Sequence, residues 1–140
     1  MRRTGTALLC VAAIALVGCL STGDADEGSR ISGGTVTVYS SLPRRGVSAP
    51  VAAAVAAGER LALADAGHRA GGLRVRLRRL DSTDPGDWLW DPDRVSANAD
   101  QAADDETAIA YIGELDYGAS AVSVPITNDA GICRCPRATA

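Results

Sequence analysis

The chain has 140 residues and a mass of 14.3 kDa, with 14 basic and 17 acidic residues and a formal charge of −3. That balance excludes a surface built to hold a polyanion, so neither nucleic acid nor polybasic adhesion to anionic lipid is expected. Every basic residue is arginine and phenylalanine is absent, a bias of the kind a GC-rich genome imposes, which leaves Leu, Val, Ile and Ala to build a core of limited extent.

Met1, Arg2 and Arg3 make a short positive start, followed by an apolar stretch from Ala7 to Val17. Its length suits a signal peptide and falls short of a membrane span. The stretch ends in Leu16-Val17-Gly18-Cys19, which resembles the lipobox of bacterial lipoproteins. A thiol there can take a thioether-linked diacylglycerol, and the small residue before it leaves room for the peptidase. Several buried acyl chains anchor far more firmly than one. Residues 1–18 are therefore expected to be a lipoprotein signal peptide and Cys19 the lipidation site. The product would be held on the extracytoplasmic face of the cell membrane. Cys10 would be discarded with the leader. Loss of Arg2 and Arg3 leaves a charge of about −5 on roughly 120 residues, one small domain.

Residues 19–34 are rich in Ser, Gly, Asp and Glu and poor in apolar side chains. Such a composition buries too little surface to fold and reads as a flexible tether. Thr35 to Ser40 is β-branched and follows a glycine pair, which predicts a strand. Ser41 to Pro50 is a loop punctuated by Pro43, Gly46 and Pro50. Val51 to Ala66 is Ala-rich with apolar residues at helical spacing, and Gly67 is its stop. Leu73 to Leu80 alternates apolar residues with Arg74, Arg76 and Arg78, a strand with one arginine face. Gly71-Gly72 is a turn, with no Lys or helix behind it to make a phosphate loop.

Asp81 to Pro92 is polar and turn-rich. Asp93 to Thr107 is a second helix, with Val95, Ala99, Ala102 and Ala103 on one side. Ala108 to Gly113 is a short buried strand and Glu114 to Gly118 a loop. Ala119 to Asn128 begins a third helix that Pro125 should kink or shorten. The order β-α-β-α-β-α predicts an α/β domain over residues 35–132, with a parallel sheet of three βα units. Ligands of such sheets lie outside the carboxyl ends of the strands. That placement selects Ser40, Ser41 and Leu42 after the first strand and Glu114 to Ser120 after the third.

Other constellations favour structural roles. Cys133 and Cys135 stand two apart and far from the single histidine, His68, a poor half-site for a metal; free thiols or a disulfide suit an exported chain better. Asp81, Asp84, Asp87, Asp91 and Asp93 lack the spacing of a calcium loop. Trp88 and Trp90 suit a hydrophobic plug over a helix end, and the arginines of the second strand a solvated face. Glu114 and Asp116 have no nucleophile or metal-ligating neighbours in the sequence, so no catalytic centre and no cofactor are expected.

A set of pieces in a fixed order resembles the leucine/isoleucine/valine type of ABC-transporter substrate-binding lipoprotein. After the lipobox and tether come the first strand and Ser41-Leu42-Pro43-Arg44-Arg45-Gly46. Leu61 to Gly67, Gly71 to Val75, Asp81 to Pro85, Ala97 to Asp100, Tyr111 to Glu114 and Pro125 to Ile132 follow. The resemblance implies a partial N-terminal lobe of the type I periplasmic-binding-protein fold, which is Rossmann-like. It also implies a small solute such as a branched-chain amino acid, and an ABC permease as ancestral partner. In the family, hydroxyls and backbone N–H groups at strand ends hold the ligand carboxylate. The matching positions here are Ser40, Ser41 and Leu42 with Tyr117, Gly118, Ala119 and Ser120. Tyr117 stands near where amino-acid binders carry Ser. The family runs to about twice this length, with a second lobe.

Where the family places an apolar strand and Ser-Pro, this chain has residues 133–140. With suitable codons, restoring one nucleotide before Cys133 re-reads them as Leu-Gln-Val-Ser-Pro-Arg-Asp-Gly. Residues 133–140 are therefore expected to be an aberrant tail from a frameshift, with a natural short paralogue as the competing explanation, leaving the lobe without a fourth strand and solute binding weak or absent. The alternative is a stand-alone lipoprotein module with a structural or protein-interaction role.

Overall fold

The computed structural model describes residues 33–86 and 89–135. The leader, Cys19, most of the tether, Asp87, Trp88 and residues 136–140 lie outside the described residues.

Strand β1, Thr35–Leu42, leads into helix α1, Ala49–Asp65. Pro50 falls in the first turn of α1, where its missing N–H costs nothing, so the helix starts before the proline expected to exclude it. Gly67 (φ +61) and His68 (φ +55) end α1. The chain then makes a two-residue strand β2, Arg69–Ala70, and turns through Gly71-Gly72 into β3, Leu73–Asp81, with which β2 pairs antiparallel.

Helix α2, Pro92–Ala103, is capped by Asp91, whose carboxylate accepts from the Arg94 N–H at 2.7 Å; a cap of this kind stabilises by about 1 kcal/mol. It stops four residues before the expected Thr107. There the Asp105 carboxylate accepts from both the N–H and the hydroxyl of Thr107, and the Thr107 hydroxyl bonds that of Thr37 at 2.8 Å. These side-chain bonds offer the backbone an alternative to helix. Strand β4, Ala108–Ile112, is followed by α3, Tyr117–Asp129, and β5, Cys133–Cys135.

Two expectations change at this end. Helix α3 begins two residues early, because Asp116 accepts from the Gly118 N–H at 2.7 Å and caps it. It also continues through Pro125. Pro125 and Ala121, the residue one turn earlier whose carbonyl loses its partner, are both exposed, so water satisfies the freed group. The fourth parallel strand, expected to be missing, is present in short form as β5, with Cys133 opposite Ala110 and Cys135 opposite Ile112.

The sheet order is β2-β3-β1-β4-β5, parallel throughout except for β2. Side chains alternate across it. Val36, Val38, Ser40 and Leu42 share a face with Val75 and Leu77, and the Ser40 hydroxyl donates to Glu59 of α1 at 2.7 Å. Tyr39 and Ser41 point the other way, toward α2, where Asn98 donates to the Ser41 hydroxyl at 3.0 Å. Helix α1 thus covers one face, and α2 and α3, packed on each other, cover the opposite one. The main core lies on the α2–α3 side: Tyr39, Tyr111, Ala99, Ala102, Ala108 and Ile132, flanked by Leu80, Ile126 and Ala130. Small alanines let α2 approach the two tyrosine rings closely. On the other side only Ala52 of α1 is buried, and Val51 and Leu61 stay exposed.

Candidate functional site

Strands β1, β3 and β4 all end at one edge of the sheet, and the segments leaving them surround a cleft of about 180 Å³. Pro43 and Val47 come from the loop after β1, Ser82 and Trp90 from the segment after β3, and Glu114, Leu115, Asp116 and Ala119 from the turn into α3. This is the carboxyl-end crevice that a parallel sheet offers a ligand.

The β1 loop is fixed by β3. Asp81 accepts from the Arg44 and Thr83 N–H groups and pairs with Arg45 at 3.0 Å. Burial alone would raise the Asp81 carboxyl, but these hydrogen bonds and the Arg45 charge outweigh it and hold the group below the usual carboxylate range. The Thr83 hydroxyl also accepts from the Arg44 and Arg45 N–H groups. Thr83 and Trp90 form an isolated antiparallel bridge. Trp90 then lies on the first turn of α3, where a Cβ on Gly118 would meet its ring at 2.9 Å. The expected hydrophobic plug over a helix end is therefore formed by Trp90, which also walls the cleft.

Two buried oxygens distinguish the cleft. Ser82 is 1% exposed and Glu114 is 4% exposed. Neither the Ser82 hydroxyl nor Glu114 Oε2 has a hydrogen-bond partner among the described residues. The other carboxylate oxygen, Oε1, accepts from the Tyr111 hydroxyl at 2.9 Å. Burial pushes the Glu114 carboxyl up to about 7, although the Tyr111 and Ser41 hydroxyls and the Arg134 charge pull it down. Arg134 is itself half-buried: it donates to the Ser123 hydroxyl at 2.8 Å and the Gly113 carbonyl at 2.9 Å, and stands 5.6 Å from the centre of the Tyr111 ring. Gly113 (φ +151) runs so close to β1 that a Cβ there would sit 2.8 Å from the Ser41 carbonyl oxygen. Only glycine fits both the backbone angle and the space.

The residues selected from the sequence are placed as follows. Ser40 and Ser41 are fully buried; the Ser40 hydroxyl donates to Glu59, and the Ser41 hydroxyl accepts from Asn98 and lies against Glu114. Leu42 is buried and lines a second groove, between α1 and β3. Tyr117 is 91% exposed at the start of α3. Gly118 seats Trp90, Ser120 is half-buried on the same turn, and Ala119 lines the cleft. Ser82 and Arg134 were not selected; neither residue type nor spacing marks them, because their environment depends on which strands are neighbours. Among the described residues no group of three or more His, Cys, Asp or Glu is placed to hold a metal.

No protein-family model and no curated protein matches the sequence. Solved structures do match the fold. A leucine binding protein from Thermotoga maritima aligns at a TM-score of 0.62 and 23% identity, over 72% of this chain and 27% of its own. A solute binding protein of an ABC transporter from R. palustris, solved with benzoate, aligns at 0.62 and 24%, over 74% and 27%. The branched-chain amino acid transporter substrate binding protein of Streptococcus pneumoniae, solved with isoleucine, aligns at 0.62 and 17%, over 73% and 28%. The chain has the fold of part of an ABC-transporter substrate-binding protein. It spans little more than a quarter of each of these substrate-binding proteins. None of the described helices is long and apolar enough to cross a membrane.

Proposed function

We propose that this chain is an exported, lipid-anchored solute-binding module of an ABC importer, held on the extracytoplasmic face of the membrane through Cys19. It takes a branched-chain amino acid or a similar small solute at the strand-tip cleft and catalyses nothing. The observation that carries this reading is the cleft itself: two buried, unpartnered oxygens at the carboxyl ends of parallel strands, beside a tryptophan. Buried polar groups without partners are rare in proteins and mark places where something else supplies the bond. Isoleucine and benzoate, bound in two of the structural neighbours, are of a size that suits such a cleft. At about 180 Å³ the cleft is small for a ligand pocket, so affinity is low.

Two measurements test the reading. Labelling with a radioactive fatty acid should mark the wild-type chain and not Cys19→Ser; equal labelling would remove the anchor. Calorimetric titration of the full chain against amino acids and hydroxybenzoates should give dissociation constants in the millimolar range that worsen in Ala119→Trp, which fills the cleft. A solute bound equally well by both proteins would show that it sits elsewhere. A stand-alone protein-interaction module is the second reading, and the exposed Val51 and Leu61 on α1 favour it.

A further inference from the structure

Strand β5 stands last in the sheet order, and among the described residues it has a neighbour, β4, on one side only. An edge of this kind leaves backbone N–H and C=O groups open to another strand. Side chains alternate across a strand. Arg134 turns toward Tyr111 and bonds Ser123 and Gly113, so Cys133 and Cys135 share the opposite face, beside Ala110 and Ile112 of β4. Both are free thiols and both are exposed. They cannot bridge each other while β5 keeps its shape. Successive residues on one face of a strand stand about 6.6 Å apart, whereas a disulfide brings its Cβ atoms to about 4 Å.

A second copy of β5 meets the geometry. When two identical strands pair antiparallel about an axis through Arg134, Cys133 of each copy falls opposite Cys135 of the other. Directly opposed residues in an antiparallel pair lie about 4.5 or about 5.5 Å apart between Cα atoms, and a disulfide spans either. We propose that the β5 edge is a self-association surface, on which a second copy of this chain pairs antiparallel and is locked by two symmetric Cys133–Cys135 disulfides. Each bond forms by thiol–disulfide exchange. A cysteine thiolate attacks a disulfide such as oxidised glutathione and releases one thiol, and the facing cysteine thiolate then displaces the other. The two cysteine protons pass to the two glutathione thiols released. Three residues a side are far fewer than the roughly 20 of a stable interface, so the reduced chain stays a monomer. In a cell the reaction needs the oxidising surroundings of an exported chain, which rests on the proposed export; the pairing itself depends neither on that nor on the cleft.

The test uses the full chain with Cys10→Ser and Cys19→Ser, so that Cys133 and Cys135 are its only thiols. Oxidation by glutathione disulfide is followed on non-reducing gels and by mass spectrometry of the linked peptides. The expected product is a dimer joined Cys133 to Cys135, which returns to monomer on reduction. Adding Cys133→Ser or Cys135→Ser leaves one thiol per chain, and neither change endangers the fold, since both side chains are exposed. An equimolar mixture of the two single-thiol chains should form the mixed dimer about tenfold faster than either chain forms its own. Like cysteines lie on the diagonal of the pairing, about 7–8 Å apart and outside disulfide reach. Equal rates for the mixture and the separate chains would show undirected collision and overturn the proposal. A Cys133–Cys135 bridge within one monomer, or no dimer under oxidation, would overturn it as well.

Discussion

Glu114 makes the folded protein sensitive to pH in a direction opposite to ordinary acid unfolding. Its carboxyl lies at about 7 in the folded chain, chiefly because it is buried, against about 4.3 for an exposed glutamate. Below pH 4.3 or so, both folded and unfolded chains carry the proton and the group has no effect. Between about pH 4.3 and pH 7 the unfolded chain has lost its proton while the folded one keeps it, so stability falls as pH rises. At about 1.4 kcal/mol for each pH unit between the two values, the full loss is about 4 kcal/mol. Asp81, held low, acts in the other sense: its contribution is present above its unfolded value of about 3.9 and fades as the solution becomes more acid. That window lies below the one for Glu114, so the two separate. Urea unfolding of wild type and Glu114→Gln at about pH 5 and about pH 8 isolates the effect, since all other titrations cancel in the difference. The wild type should lose up to about 3 kcal/mol more than the variant over this range. An equal pH dependence for the two proteins would refute the burial of an uncompensated carboxyl at this position.

Gly113→Ala should destabilise by about 2 kcal/mol or more in the same unfolding assay, because the added Cβ meets the Ser41 carbonyl at 2.8 Å on a backbone at φ +151. A loss under about 0.5 kcal/mol would mean that the β1–β4 approach is looser than described. Arg134→Ala removes bonds to Ser123 and Gly113 and the contact with Tyr111, and should cost about 2 kcal/mol. Thr83→Val keeps the shape but leaves the Arg44 and Arg45 N–H groups without that acceptor. It should cost about 1 kcal/mol, seen also as faster amide exchange at Arg44 and Arg45.

Local pattern was enough for the elements that obey a single period. The β-branched run of β1, the arginine alternation of β3 and the alanines of α2 are readable one segment at a time. They also imply the parallel sheet and the edge at which a ligand would sit. Pattern failed where the deciding partner is distant in sequence. The boundary of α2 depends on Asp105 holding Thr107 next to β1, and the start of α3 on a cap by Asp116. Pro125 survives inside α3 because its side of the helix faces water, which no spacing rule reveals. The strand Cys133–Cys135 is three residues long and lacks an apolar signature. Buried Ile132 leads into it, and Arg134, which looks like a surface residue in sequence, is drawn onto Tyr111 once β5 lies beside β4. For the same reason Glu114 reads as a loop acid, although the fold buries it against Tyr111, Ser41 and Arg134.

Amide chemical-shift mapping of the full chain with isoleucine and with benzoate bears most directly on the central claim, that solute sits at the strand tips. The expected shifts cluster at Ser82, Trp90, Glu114 and Ala119, with the largest change at the Trp90 indole N–H. Shifts confined to the groove between α1 and β3, or an unchanged spectrum at saturating concentrations of both compounds, would contradict it.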